Sequence, residues 1–105
     1  MSTWDFSQGP LWQGKPIARR VADARARRRA VISGVVISAK SVPFGSSVAY
    51  ECMIEDGTGE LRVVFTGRES IQGLARGARC TVEATIQANH SGLFMRDPLY
   101  RLAAE

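Results

Sequence analysis

The chain has 105 residues, 45% of them hydrophobic, and a formal net charge of +4. That length suits one domain with a single core. No window approaches the ~18 apolar residues of a membrane span, and the N-terminus lacks the basic start and apolar run of a secretory signal, so a cytoplasmic protein without membrane contact is expected. Two cysteines, Cys52 and Cys80, are too few for a disulfide framework and sit in no metal-binding spacing, so packed thiols are expected, with no metal and no cofactor.

Residues 1–16 contain Gly9, Pro10, Gly14 and Pro16, which predict irregular structure. Trp4, Phe6, Leu11 and Trp12 are unusual in a free tail. They either fold back on the globular part or dock on a protein partner, which includes a second copy of the chain. Residues 15–29 hold seven basic side chains against one acid, Asp23, whereas residues 30–105 hold seven basic and eight acidic ones. The basic character therefore belongs to an arm, with Arg25, Arg27, Arg28 and Arg29 its densest part. Such a run is the electrostatic footprint of a polyanion binder. Ala and Arg favour helix and Pro16 suits a first helical position, so a short helix near 17–25 is expected. The chain divides into an arm, 1–29, and a domain, 30–105.

The domain is β-rich. Residues 30–40 read as a strand, with Gly34 marking a bulge or bend. Residues 41–47, SVPFGSS, read as a loop. Residues 48–55 alternate, with Val48, Tyr50, Cys52 and Ile54 on one face. In residues 61–66, Leu61, Val63 and Phe65 oppose Arg62, Val64 and Thr66. Between them 56-DGTGE-60 supplies the glycines a tight hairpin needs. Residues 67–77 break the pattern and predict one or two helical turns closed by Gly73 or Gly77. Residues 79–88 alternate again. A turn at 89–92 leads to a last short strand at 93–95, which Asp97-Pro98 interrupts and 99–102 continues.

Five strands with a short helix between the third and fourth is the order of an all-β, five-stranded Greek-key OB-fold barrel. The stretches 34-GVVISAK-40, 54-IEDGTGELRVVFTGRESIQGLARG-77 and 93-LFMRDPLYRL-102 resemble the nucleic-acid-binding OB-fold family. That family includes anticodon-binding domains of some aminoacyl-tRNA synthetases and the wedge domain of a branch-migrating DNA helicase. The chain is similar, more narrowly, to short stand-alone OB-fold proteins of actinobacteria. The resemblance covers residues 28–102 and implies a DNA- or RNA-binding protein of weak sequence specificity, with no catalytic residue.

The family's binding strip lies on the outer face of the second and third strands and on the loops beside it. Alternation gives that face Ala49, Glu51, Met53 and Glu55 on one strand and Arg62, Val64 and Thr66 on the next, with one cation and no aromatic ring. Lys40 and Phe44 in the first loop, Arg68 after the third strand, and His90 and Arg96 around the last turn complete the candidate set with Arg62 and the four arginines of the arm. Phe94 reads as core, and Tyr100 as packing on the first strand. A protein-interaction or oligomer-forming module is the alternative, with Trp4, Phe6 and Trp12 as its contacts. Enzymatic activity is not expected.

Overall fold

The computed structural model describes residues 11–12, by their backbone alone, and 14–103. Trp4 and Phe6 lie outside the described residues, as does the side chain of Trp12.

The described chain is β structure with a single short 3-10 turn. Strands β1 (Leu11–Trp12) and β2 (Lys15–Pro16) pair antiparallel. The seven others are β3 (Arg29–Phe44), β4 (Ser47–Glu55), β5 (Glu60–Thr66), β6 (Arg79–Thr85), β7 (Gln87–Asn89), β8 (Gly92–Arg96) and β9 (Leu99–Leu102). They form one sheet in the order β7-β8-β5-β4-β3-β6-β9. Strands β6 and β7 stand far apart in that order, yet only Ile86 separates them in the chain. The sheet is therefore strongly curled. Its inward residues, among them Ile32, Val36, Cys52, Ile54, Leu61, Val63, Val82 and Met95, form one buried cluster. Fully burying one such side chain contributes roughly 1.5–3 kcal/mol.

The sixteen-residue strand β3 serves two neighbours. Residues 29–35 pair with β6, and residues 35–44 pair with β4. The register shifts between Val36 and Ser38, so the bulge falls at Ile37 and not at Gly34. Gly34 has a different task. A Cβ there would collide with the Glu55 carbonyl and lie 2.9 Å from Ile54 Cγ2. It lets β3 and β4 approach where β3 passes from one partner to the other.

Several expectations need correction. Residues 41–44 are strand, not loop: β3 continues to Phe44, and Gly45, at φ +62, turns it into β4. Pro43 is tolerated because this half of β3 pairs on one side. Residues 67–78 form turns without a helix. Gly67, Gly73 and Gly77 all have positive φ there, and such residues break a helix before it propagates. Ile71 and Leu74 nevertheless plug the core, and the Tyr50 hydroxyl donates to the Leu74 carbonyl at 2.7 Å. The expected helix at 17–25 is a 3-10 turn, Val21–Asp23, preceded by a parallel bridge from Ala18 to Ala30. Arg27, at φ +68, ends any helical path.

The basic segment is built into the domain, and the boundary expected after residue 29 falls inside β3. Ile17 and Ala24 are buried. The Val21 N–H donates to Asp56 Oδ2 at 2.9 Å and the Ala22 N–H to Thr58 Oγ1 at 3.1 Å. The DGTG turn thus joins β4 to β5 and also holds the arm. Burial alone would raise the Asp56 carboxyl, but hydrogen bonds from the Thr58 hydroxyl and from the Val21 and Thr58 N–H groups outweigh it and hold it below its ordinary value.

Candidate functional site

Opposed residues on paired strands share a face. On the outer face, Ser38, Met53, Arg62, Phe94 and Gln87 form one row across five strands. Lys40, Glu51, Val64 and Arg96 form the next row across four. The parallel pairing of β8 with β5 brings Phe94 and Arg96 onto this face. Phe94 is therefore not a core residue, because its strand neighbour Met95 takes the inward position at 0% exposure.

Arg62 is the hub. Its guanidinium carbon lies 5.1 Å from the centre of the Phe94 ring. One nitrogen donates to Asn89 Oδ1 at 3.1 Å, and another is 3.7 Å from Glu51 Oε2. The side chains of Arg62 and Glu51 are each only about one-fifth exposed. With Phe94, Asn89 and Glu51 as partners the guanidinium is held in place, which preorganises a cation beside an aromatic face.

A second such pair closes one end. The Arg96 guanidinium carbon lies 5.2 Å from the centre of the Phe44 ring. Phe44 is 37% exposed, at the tip of the β3–β4 hairpin. Asp97, at φ +48, fixes the far end of β8 by accepting from the Thr66 N–H and hydroxyl at 2.8 and 2.7 Å, while its own N–H donates to the Val64 carbonyl.

These groups line a groove of about 370 Å³ that holds Phe44, Glu51, Arg62, His90, Phe94 and Arg96. Beyond Arg62 and Ser91 it adjoins a hollow of about 390 Å³, which ends against Val21, Ala24 and Leu93. Of the expected residues, Phe44, Arg62, His90 and Arg96 meet here. Lys40 stands beside Glu51 at the rim. Arg68 is exposed in the turn after β5 and does not line the groove.

The arginines of the arm separate into different roles. Arg25 and Arg28 line another cleft, with Arg19 and Arg20. Arg27 is exposed, and its N–H donates to the Ile86 carbonyl at 2.7 Å. Arg29 points along the β3–β6 face and bridges Glu83 at 2.8 Å, where the carboxylate side chain is 2% exposed. Arg29 is built into the fold.

Alternation within β4 and β5 assigned their faces well, and the strand at 93–95 was expected, but nothing in the sequence showed that it pairs with β5. Phe94 could have been recognised only by predicting a parallel β5–β8 pair, which leaves no local signal. Tyr100 likewise packs elsewhere than expected, with its ring edge-on to Phe65 at 5.5 Å. Both cysteines are free and buried, and burial pushes each thiol up to about 11.

No protein-family model matches the chain, and no curated protein matches it in sequence. Solved structures do match its fold. One is a replication factor A related protein from Methanobacterium thermoautotrophicum, at TM-score 0.66 and 15% identity, covering 82% of this chain and 90% of that one. Another is the second OB-fold domain of replication protein A from Methanococcus maripaludis, at TM-score 0.66 and 14% identity, covering 84% and 96%. A third is a chain of the S. pombe Stn1-Ten1 complex, at TM-score 0.59 and 19% identity, covering 90% of this chain and 65% of that one. At these identities the likeness establishes the fold, which is an OB-fold.

Proposed function

We propose that this OB-fold protein is a non-enzymatic binder of single-stranded DNA or RNA with weak base specificity. The observation that carries the reading is the pair of arginine-capped rings, Arg62 over Phe94 and Arg96 over Phe44, set along one groove of the outer sheet face. Rings with adjacent guanidinium groups offer a stacking surface to any base and a cation to its phosphate, and neither contact reads sequence. His90 and Lys40 flank that path. The arm, with Arg25, Arg27 and Arg28, adds phosphate affinity for strands long enough to reach it, and that affinity falls with salt. Two of the solved structures that share the fold carry the name of replication factor or protein A, which agrees with such a role.

The test is fluorescence anisotropy of a labelled single-stranded oligonucleotide at several salt concentrations. Affinity should fall linearly on a log–log salt plot, and Phe94→Ala should weaken binding at every salt. Absence of binding at low salt would remove the proposal.

A second reading, docking of a protein, is favoured by the edge strand β9. All four of its residues are exposed, with Leu99 at 49%. Among the described strands β9 ends the sheet, and an edge bearing Leu99, Tyr100 and Leu102 can accept another strand. Trp4, Phe6 and Trp12 belong to this reading as contacts for a partner or a second copy.

A further inference from the structure

The arm forms a cleft of its own. About 540 Å³ of space is bounded by Arg19, Arg20, Arg25 and Arg28, with Asp23 the one carboxylate and the buried Ile17 beneath. Two of these arginines are held in place. Arg20 grips Asp23 through two nitrogens at 2.8 and 3.1 Å, and Arg25 donates to the Ala24 carbonyl at 2.8 Å. A guanidinium has five N–H donors, so such contacts leave others for an anion.

The position of this cleft matters as much as its charge. It shares no lining residue with the groove. One element stands between them, the 3-10 turn Val21–Asp23. Val21 and the adjoining Ala24 form the end wall of the hollow that continues the groove, while Asp23 and the flanking Arg20 and Arg25 face the cleft. The turn is fixed to the sheet through Asp56 and Thr58. Groove, ridge and cleft therefore keep a set spacing.

We infer that the cleft is a second phosphate subsite, which a single strand reaches only after running the length of the groove and crossing the Val21–Asp23 turn. The inference rests on the proposed nucleic-acid binding and adds its geometry: bases stack in the groove and the backbone beyond them is gripped by the arm. The cleft should then be silent toward short ligands and decisive for long ones.

OB folds cover about 4–16 nucleotides, so a 4-mer stays within the groove and a 15-mer spans both subsites. The experiment compares wild type with the double variant Arg20→Gln, Arg28→Gln, using labelled oligothymidine of each length. The Arg20–Asp23 pair is exposed, so its loss should leave thermal stability unchanged, which a melting curve confirms. For the 15-mer the variant should bind about tenfold or more weakly, and its salt slope should be shallower by about 1.4, the effect of two lost single-strand phosphate contacts. For the 4-mer the two proteins should agree within about twofold at matched salt. Equal losses at both lengths would mean that the arginines act as a diffuse field, and would overturn the subsite. Unchanged 15-mer binding would overturn it while leaving the groove reading intact. If wild type binds neither oligonucleotide, both fall together.

Discussion

Arg62 lies over the Phe94 ring at 5.1 Å although thirty-two positions separate them in the chain, and the parallel pairing of β5 with β8 is what brings them together. Neither residue alone makes a site. A lone arginine on a strand face is ordinary surface chemistry, and a lone phenylalanine near a chain end reads as core. With Arg62 held by Asn89 and Glu51, the pair sets a fixed cation beside an aromatic ring.

Replacing Phe94 by Ala should weaken single-strand binding by roughly 5–150-fold, the equivalent of ~1–3 kcal/mol for one stacked base. Arg62→Lys should also weaken binding while leaving the salt slope nearly unchanged, because the charge stays and the planar fork is lost. Anisotropy titrations of the two variants separate stacking from charge.

Arg28 and Arg29 are neighbours in the arm but should behave in opposite ways. Arg29→Ala removes a partner from a carboxylate that is 2% exposed, and should lower unfolding free energy by roughly 3 kcal/mol. Arg28→Ala, on an exposed side chain, should leave stability within about 0.5 kcal/mol. Urea melts of both variants check this.

The contrast shows what was legible in the sequence. Alternation in residues 48–55 and 61–66 fixed which side chains face the core, because a pleat has period 2 and one buried face leaves little freedom. The DGTG turn was equally plain. Runs of like residues, however, carry no information about their partners. Arg25, Arg27, Arg28 and Arg29 looked equivalent until β3 was seen to begin at Arg29 and to place Glu83 beside it. The same limit hid Phe94, whose surroundings depend on a parallel pairing between distant segments. Glycine was half readable: Gly34 is needed for close approach to Glu55, while the bulge lies at Ile37.

Gly34→Ala should destabilise the fold by about 1–3 kcal/mol, because the added methyl group meets backbone that cannot rotate away. Gly45→Ala meets nothing within 4 Å and should cost less, the penalty there being its positive φ alone. Thermal unfolding of the two variants decides the order.

Stability should fall at both ends of the pH range. Cys52 and Cys80 are pushed by burial from an ordinary 9.0 to about 11. A group whose folded value is raised stabilises the fold below its unfolded value, so that contribution is present below about 9 and is lost as pH climbs toward about 11. Tyr50, also raised by burial, acts in the same direction. Asp56 is shifted the opposite way, so its contribution is present above its ordinary 3.8 and is lost as pH falls below it. With Asp56 protonated, the arm should loosen from the DGTG turn. Hydrogen exchange of the Val21 amide against pH reports that step, and thiol alkylation at pH 8 should be slow until the protein unfolds.

The most direct measurement is an amide chemical-shift titration of the labelled protein with a single-stranded 15-mer. The largest shifts should fall on residues 40–44, 51, 62, 89–91 and 94–96, followed by residues 19–28. Shifts confined to β9 and the far face of β6, or no shifts at all, would contradict it.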